Sequence, residues 1–226
     1  MSRPLPLVSV IIPVFNGRDY ISECLQSVVD QSYPNVEIIA IEDGSDRDSQ
    51  DIVRRFPSVT YIRQRNTGNA TVRNRGILMS KGAYISFLDC DDMFDRAKTD
   101  TQVRYLQEHS DCQVVAGLTR EFLDSGAVMP QWVRPTALQE DHKGASPGVL
   151  MVKRELFDTV GLFDPDFTTT SDTEWIVRAH RSGVSLPFVP SVVLHKRIHA
   201  NNQSAHPSSR HVASYHRELA RIFANR

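Results

Sequence analysis

In residues 1–110, short β-branched apolar runs alternate with amphipathic stretches, and this alternation restricts the fold more than any other feature of the sequence. The predicted strands are apolar runs bounded by turn residues, and they span residues 7–15, 35–42, 59–65 and 83–89. Between them apolar residues recur at helical spacing, as in Ile21, Leu25 and Val28. The alternation predicts an α/β fold, with a mostly parallel, Rossmann-like central sheet and helices on both faces.

Polar segments follow each of the four predicted strands. They are Asn16, the EDGSD segment at 42–46, the pair Arg65 and Asn66, and the DCDD segment at 89–92. In a parallel sheet, ligands bind at the carboxyl ends of the strands, where the strand order reverses. We therefore expect these four loops to open onto one edge of the sheet.

Size and charge narrow the classes of function. With 226 residues the chain is long enough for one sizeable core, so we expect a single domain. The net charge of -1 provides no general attraction for nucleic acid, and we expect no nucleic-acid partner. The longest strongly apolar stretch, residues 8–15, is too short to cross a bilayer. Without a signal peptide, and with three cysteines that form no CxxC pair, the chain is expected to be cytoplasmic.

Three carboxylates, Asp89, Asp91 and Asp92, follow the fourth predicted strand within four positions. Charges packed against a buried strand are costly unless a positive group lies opposite them. Oxygen donors of this kind suit Mg²⁺ or Mn²⁺, which completes its shell with water and substrate phosphate oxygens. The alternative is that Asp91 and Asp92 cap the next helix while Asp89 is solvated.

Four segments in order resemble the motifs of family 2 glycosyltransferases of the GT-A fold. That family has P-V-[FY]-N, [VI]-D-D-G-S-x-D-x-[ST], A-R-N-x-G-[IL] and D-x-D-D. This sequence has PVFN at 13–16, IEDGSDRDS at 41–49, TVRNRGI at 71–77 and DCDD at 89–92. The set covers nearly the whole first half of the chain, although Glu42 replaces the usual first Asp of the second motif.

The resemblance implies inverting transfer of a sugar from a nucleotide-diphosphate donor, most often a UDP-sugar, with Mn²⁺ or Mg²⁺ as cofactor. The residues implied to bind the donor are Pro13, Phe15, Asn16, Asp43, Arg73 and Asp89. Asp43 would bind the base edge, Asp89 the ribose, and Arg73 the nucleotide or diphosphate. Asp91, together with Asp89, would ligate the metal.

The second half of the chain should supply the general base and the acceptor site. In the family a carboxylate at the start of a helix removes the acceptor proton, and Asp172 in the SDTEW segment is the matching residue. An alternative is ordinary helix-start chemistry, since Ser171 and Glu174 have the spacing of a capping box. The segment 145–156, with Ser146 and Gly148, is expected to form the wall of the acceptor site.

The segment KRIHANNQS at 196–204 resembles a further family element, R-x-H-x-x-N-x-S. The resemblance implies that Arg197 contacts the diphosphate and that His199 adds a metal ligand or an acceptor contact. The alternative for His199 is simple solvation, because a histidine in a polar loop often has no other role.

These assignments divide the domain into a nucleotide-sugar half at 1–110, an acceptor and base half at 111–205, and a C-terminal helix at 206–226. The expected acceptor is a saccharide, a lipid-linked saccharide or a small molecule, in glycan or polysaccharide biosynthesis. Two other functions stay open: a nucleotidyltransferase of similar fold, and a sugar- or nucleotide-binding module without catalysis. A nucleotidyltransferase would usually carry a glycine-rich basic loop after the first strand. The amphipathic C-terminal helix also leaves open a weak peripheral contact with a membrane.

Overall fold

Nine strands of the described residues form one sheet in the computed structural model, which describes residues 5–129, 133, 135–144, 146–167, 170–199 and 202. The strands are β1 Val8–Val14, β2 Val36–Asp43, β3 Val59–Gln64, β4 Tyr84–Phe87, β5 Met93–Phe94, β6 Val114–Leu123, β7 His142–Lys143, β8 Leu150–Lys153 and β9 Phe188–Ile198. Their order is β3-β2-β1-β4-β8-β6-β9-β5, and β7 pairs with β6.

Six α-helices of the described residues pack around this sheet. They are α1 Ile21–Val29, α2 Gln50–Val53, α3 Asn69–Met79, α4 Lys98–Glu108, α5 Leu156–Val160 and α6 Ser171–Arg181. Two short 3₁₀ turns span Pro135–Leu138 and Pro147–Val149. No described helix is long and apolar enough to span a membrane.

The first four strands are parallel, as the sequence pattern predicts. The chain runs from β1 outward to β2 and β3, and then returns to the other side of β1 as β4. All seven residues of β1 are buried, as expected of a strand inside a parallel sheet. Because the strand order reverses between β1 and β4, the carboxyl ends of these strands form the edge at which a ligand site is expected.

The second half of the sheet is mixed, and it carries the main differences from the sequence prediction. Strand β8 runs antiparallel to β4 and β6, while β9 runs parallel to β6. Residues 127–129, which follow β6, are not in a strand. The predicted helix at 206–226 lies outside the described residues.

Strand β9 brings the end of the described chain to the acidic segment. Strand β5 follows that segment directly, and it pairs antiparallel with Leu194 and His195 in β9. The residues after His195 therefore run back alongside positions 89–92. The two segments are about 100 positions apart in the sequence, so neither pattern alone predicts their contact.

A buried lysine ties α4 to the segment predicted as the acceptor wall. The Lys98 ammonium donates to the Leu150 carbonyl at 3.2 Å and to the Gln102 side chain, and it lies 4.6 Å from the centre of the Phe94 ring. Burial lowers the pKa of Lys98 well below its usual 10.5. Gln102 in turn donates to the Val149 carbonyl at 2.8 Å. The Lys98 and Gln102 side chains thus hold the 149–150 backbone from inside the protein.

An aromatic cluster positions the start of α6 near the end of β4. The Phe87 ring meets Phe163 edge-on at 5.3 Å between centroids, and Trp175 lies 5.7 Å from Phe163. The Trp175 indole also donates to the Gly161 carbonyl at 2.8 Å. Burial of these large rings, which carry much of the hydrophobic stabilisation of a core, fixes the approach of α6 to the sheet edge.

Candidate active site

The four loops predicted to share one edge are in direct contact. The backbone N–H of Asn16 donates to the Ser45 hydroxyl at 2.7 Å, which joins the loops after β1 and β2. A Cβ on Gly17 would lie 2.2 Å from the Cys90 sulfur, so the loops after β1 and β4 touch. Gly44 approaches the backbone of Asn66 in the same way, at 2.7 Å for a built Cβ. The expected common edge is confirmed.

The PVFN segment contributes both buried and exposed residues to this edge. Pro13 is buried within β1, opposite Ile41 of β2. Phe15 is 44% exposed, and Asn16 is exposed with a positive φ of 53°. Asparagine tolerates this conformation better than most residues, which explains its place at the turn.

Asp43 anchors the loop that precedes α3. One carboxylate oxygen accepts from the Gln64 side chain and the Thr67 backbone N–H, both at 2.9 Å, and the other accepts from the Gly68 backbone N–H at 2.9 Å. The side chain is buried, with 3% of the residue exposed. Asp43 therefore helps to shape the edge predicted to bind a base, because its hydrogen bonds hold the loop at Thr67 and Gly68. An open groove beside it is lined by Gly44, Arg63, Gln64, Arg65 and Asn66.

Glu42 has a structural role that accounts for its departure from the family motif. It is fully buried, and its carboxylate accepts from the Ser45 hydroxyl, from the Ser49 backbone N–H at 3.3 Å and from the Tyr61 hydroxyl at 3.2 Å. Ser45 in turn receives the backbone N–H of Asn16. The longer side chain of glutamate spans these partners and orders the loop after β2.

Arg73, Asp89 and Asp172 form an electrostatic group between α3, the acidic segment and α6. The Arg73 guanidinium, with its side chain only 5% exposed, donates to Asp89 at 2.8 Å. The Arg73 Nε is buried without a hydrogen-bond partner among the described residues. Burial raises the pKa of Asp172, nearby Arg73 lowers it, and Asp89 raises it. Arg73 thus pairs with the predicted ribose ligand, and its charge also acts on the predicted base.

Asp172 lies in the first turn of α6, where the helix dipole favours a negative charge. The capping-box alternative is not what the structure shows. Glu174 pairs with Arg178 at 2.7 Å and 2.9 Å, and the residue before the helix is Thr170, which makes no side-chain cap. Among the described residues, the partly buried Asp172 carboxylate accepts the adjacent Thr173 backbone N–H at 2.8 Å.

Asp91 meets the residues that follow β9. Its carboxylate lies 3.0 Å from the Nε2 of His199 and 3.4 Å from the side-chain nitrogen of Asn202. The His199 ring is 8% exposed and packs against Tyr20 with centroids 4.7 Å apart. His199 is therefore placed beside Asp91, as the metal hypothesis requires, and the simple solvation of His199 is wrong.

Asp92 and Arg197 complete the contact between the acidic segment and β9. The Asp92 carboxylate accepts the Arg197 backbone N–H at 2.9 Å. Burial, and then the charges of Asp91 and Asp89, raise the pKa of Asp92 well above its usual 3.8. The alternative in which Asp91 and Asp92 cap the next helix is wrong, because α4 follows Ala97 and has no side-chain cap.

The residues present fit a divalent cation with few protein ligands. No group of three or more His, Cys, Asp or Glu side chains is arranged to hold a metal within the described part of the chain. Asp91 Oδ2 and His199 Nε2 are 3.0 Å apart, and adjacent ligands on an octahedral ion with bonds of about 2.1 Å are separated by about 3 Å. Mg²⁺ characteristically keeps waters and takes substrate phosphates, so two protein ligands are compatible with such a site.

The predicted acceptor wall is formed by a 3₁₀ turn. The Ser146 hydroxyl accepts the Gly148 backbone N–H at 3.2 Å. A Cβ on Gly148 would lie 2.9 Å from a methyl group of Leu194 in β9, so this position requires a small residue. Both residues have local structural contacts, and their role toward an acceptor stays a prediction.

Several residues of the site had no motif in the sequence. Glu23 and Asp124 both contact Arg197, yet they come from α1 and from the turn after β6. Their sequence neighbourhoods are ordinary, and it is the pairing of β6 with β9 that brings Asp124 close to Arg197. Asn202 is part of the KRIHANNQS segment, and the resemblance of that segment to R-x-H-x-x-N-x-S is the sequence signal that points to it.

We predict that Asp43→Asn loosens residues 67–68. The amide group places a donor where a carboxylate oxygen now accepts a backbone N–H. Losing such a buried bond costs about 1–3 kcal/mol, so amide hydrogen exchange of Thr67 and Gly68 should accelerate by about 10- to 100-fold. Asp100→Asn, in an ion pair on the surface of α4, is the matched control and should leave these amides unchanged. Equal protection in wild type and Asp43→Asn would contradict the anchoring role.

Comparisons with known proteins agree with the motifs. The family model "Glycosyl transferase family 2" matches residues 9–161. An uncharacterized glycosyltransferase of Rickettsia prowazekii (strain Madrid E) is 30% identical over 207 residues, covering 86% of this chain and 65% of that protein. The putative teichuronic acid biosynthesis glycosyltransferase TuaG of Bacillus subtilis (strain 168) is 38% identical over 116 residues, covering 49% of this chain and 46% of that protein. The chain thus spans less than two thirds of the length of either relative.

Solved structures identify the fold. TarS 1-349 of S. aureus in complex with UDP-GlcNAc superposes with a TM-score of 0.72 at 18% identity, covering 96% of this chain and 65% of that one. The mannosyltransferase PcManGT from Pyrobaculum calidifontis, in complex with GDP-Man and Mn²⁺, gives 0.67 at 21% identity, covering 88% and 59%. The predicted GT-A fold is confirmed. Since the family model also covers more than half of its residues, this chain belongs to glycosyl transferase family 2.

Proposed function

We propose that this chain transfers a sugar from a UDP-sugar to an acceptor hydroxyl, with inversion at the anomeric carbon and with a divalent cation. The observation that carries the proposal is the arrangement around the acidic segment. Asp89 pairs with Arg73 beside Asp172, and Asp91 pairs with His199, all at the carboxyl edge of the sheet. Such a group offers separate partners for a ribose, a diphosphate and a reacting hydroxyl.

The donor half is supported by the groove beside Asp43. The Asp43 carboxylate fixes Thr67 and Gly68, and this loop closes one side of the groove that includes Arg65 and Asn66. We propose that the base lies in this groove and that the partly exposed Asp89 accepts hydrogen bonds from the ribose. TarS binds UDP-GlcNAc and PcManGT binds GDP-Man, so the fold accommodates both kinds of nucleotide sugar. UDP is our choice because family 2 motifs with an Asp at position 43 most often accompany uracil.

Asp91 and His199 are the residues that would hold the cation. Asp89 lies on the other side of Cys90 in the sequence. When bound, Mn²⁺ or Mg²⁺ would offset the negative charge that develops on the departing diphosphate. Arg73 supplies further positive charge from α3, and its unpartnered Nε could donate a hydrogen bond to an oxygen of the nucleotide sugar. The protein thus provides positive groups on the side from which the nucleotide leaves.

Asp172 is the proposed general base. The charges of Arg73 and Asp89 both act on the Asp172 carboxyl, which supports a location beside the proposed sugar site. Inverting transfer requires the base on the face of the sugar opposite the leaving diphosphate, where it removes the proton of the attacking hydroxyl. Burial that raises the pKa of Asp172 also makes its carboxylate a stronger base, while Arg73 keeps the ionised form accessible.

The proposal also includes the acceptor, the cellular location, and the division of the chain into a nucleotide-sugar half and an acceptor half. We propose a saccharide, lipid-linked or small-molecule acceptor, bound against residues 146–150 of the second half. The three cysteines are free, which is compatible with a cytoplasmic location. Family membership favours glycosyl transfer over nucleotidyl transfer, and the presence of Asp172 at the site favours catalysis over binding alone.

We predict that UDP stabilises the protein only when Mn²⁺ is present. At about 100 times its dissociation constant, a ligand adds about 2.7 kcal/mol, or about 5–10 °C in Tm for a chain of this size. Thermal unfolding with UDP, GDP or TDP, each with and without Mn²⁺, measures the effect. Asp91→Ala should abolish the UDP response, and Asp100→Ala should retain it. A full UDP response without metal, or in Asp91→Ala, would rule out the proposed metal site.

We predict that Asp172→Asn separates binding from transfer. The amide cannot accept the proton of the attacking group, so the rate should fall by about 10²- to 10⁴-fold. The Mn²⁺-dependent thermal response to UDP should be unchanged. UDP release from UDP-GlcNAc, with water as the default acceptor, measures the rate, and Asp158→Asn on the surface of α5 is the control. If Asp172→Asn releases UDP at the wild-type rate, another residue is the base.

A further inference from the structure

The Arg197 side chain is enclosed by protein acceptors. Its Nη1 donates to Asp124 at 2.7 Å, its Nη2 donates to Glu23, and its Nε donates to the Asp91 carbonyl at 3.0 Å. Only 7% of the side chain is exposed. Each of the three guanidinium nitrogens therefore already has an oxygen partner.

Two aromatic rings lie close to the same guanidinium. Its central carbon lies 5.0 Å from the centre of the Tyr20 ring and 4.8 Å from that of the Phe122 ring. Stacking on aromatic faces suits the planar, weakly hydrated guanidinium far better than an ammonium group. The Arg197 guanidinium thus has both hydrogen-bond acceptors and aromatic rings around it.

The partners of Arg197 come from three separate parts of the fold. Glu23 belongs to α1, Asp124 follows β6, and Asp91 is in the acidic segment. No two of these parts are adjacent in the sequence. The guanidinium hydrogen-bonds to all three parts, and through the Asp91 carbonyl it contacts the main chain of the acidic segment.

The backbone of Arg197 extends this arrangement to the predicted metal ligands. Its N–H donates to Asp92, and its carbonyl accepts from the Asn202 side chain at 3.1 Å. The Asn202 side chain also accepts the His199 backbone N–H at 2.6 Å. Contacts of residue 197 therefore flank the Asp91–His199 pair, through the guanidinium on the Asp91 side and through the backbone carbonyl and Asn202 on the His199 side.

We propose that Arg197 is a positioning residue, which holds Asp91 and His199 at ligand spacing instead of binding the donor diphosphate itself. This inference rests on the proposed function of the same site, and it replaces the diphosphate role that the family resemblance implies for Arg197. If Arg197 bound the diphosphate directly, its guanidinium would have to leave Asp124 and Glu23. As a positioning residue, Arg197 keeps both contacts and acts through them.

The first test uses the protein without metal or nucleotide. A lysine at position 197 has one point charge and cannot reach Asp91, Asp124 and Glu23 together. In Arg197→Lys we expect the Asp92 amide, which donates to the Asp89 carbonyl at 3.0 Å, to exchange its hydrogen about tenfold faster or more. Asp124→Asn is the milder second variant and should change the same amide in the same direction. Unchanged exchange in both variants would overturn the inference whatever the protein binds.

The second test measures the Mn²⁺ concentration that gives half of the UDP thermal response. We expect this concentration to rise about tenfold in Arg197→Lys and several-fold in Asp124→Asn, with the full response restored at saturating Mn²⁺. The double variant should be no worse than Arg197→Lys, because Asp124 acts through Arg197. Arg120→Lys, which changes an exposed arginine paired with Asp141, is the matched control and should behave as wild type.

A different pattern would identify Arg197 as a diphosphate ligand. In that case Arg197→Lys weakens UDP binding even at saturating Mn²⁺, and Asp124→Asn leaves the Mn²⁺ requirement unchanged. Failure of the proposed function is distinguishable from this outcome, since wild type would then show no Mn²⁺-dependent response to UDP, while the exchange of the Asp92 amide would still decide the role of Arg197.

Discussion

The negative charge of the acidic segment is the constraint on which the rest of the site depends. Two buried arginines from different elements contact the segment. Arg73 of α3 forms an ion pair with Asp89, and Arg197 of β9 donates to the Asp91 carbonyl. The pKa of Asp92 is raised by its burial and by its acidic neighbours. Asp91 is the carboxylate paired with the His199 imidazole, and it is where we propose that a cation binds.

The two halves of the sheet make different contributions to this arrangement. The parallel half places four loops at one edge, and the loops are held together by backbone contacts and by the buried carboxylates of Glu42 and Asp43. The mixed half returns β9 to the same edge and brings Arg197 and His199 with it. Helix α6, seated on the aromatic cluster, adds Asp172. The loops of the parallel strands thus form the base of the site, and the other side chains come from distant parts of the chain.

The sequence was sufficient for features that depend on local pattern. The periodicity of the first half predicted the parallel strands and the shared edge, and the motifs predicted the neighbourhood of Arg73, Asp89 and Asp172. It was insufficient where long-range pairing decides the contact. The β5–β9 pairing, and the partners Glu23 and Asp124 of Arg197, join positions about 70 to 170 residues apart, and no short motif encodes such a distance. The buried Lys98 was also missed, because a lysine near a helix start is ordinarily solvated.

The most direct test of the central claim is an anomalous diffraction experiment on crystals soaked with Mn²⁺ and UDP. The account predicts a manganese peak within bonding distance of the Asp91 carboxylate and the His199 Nε2, with the diphosphate on its far side. Bound UDP with no manganese peak at this edge, and with Asp91 still paired only to protein groups, would contradict it.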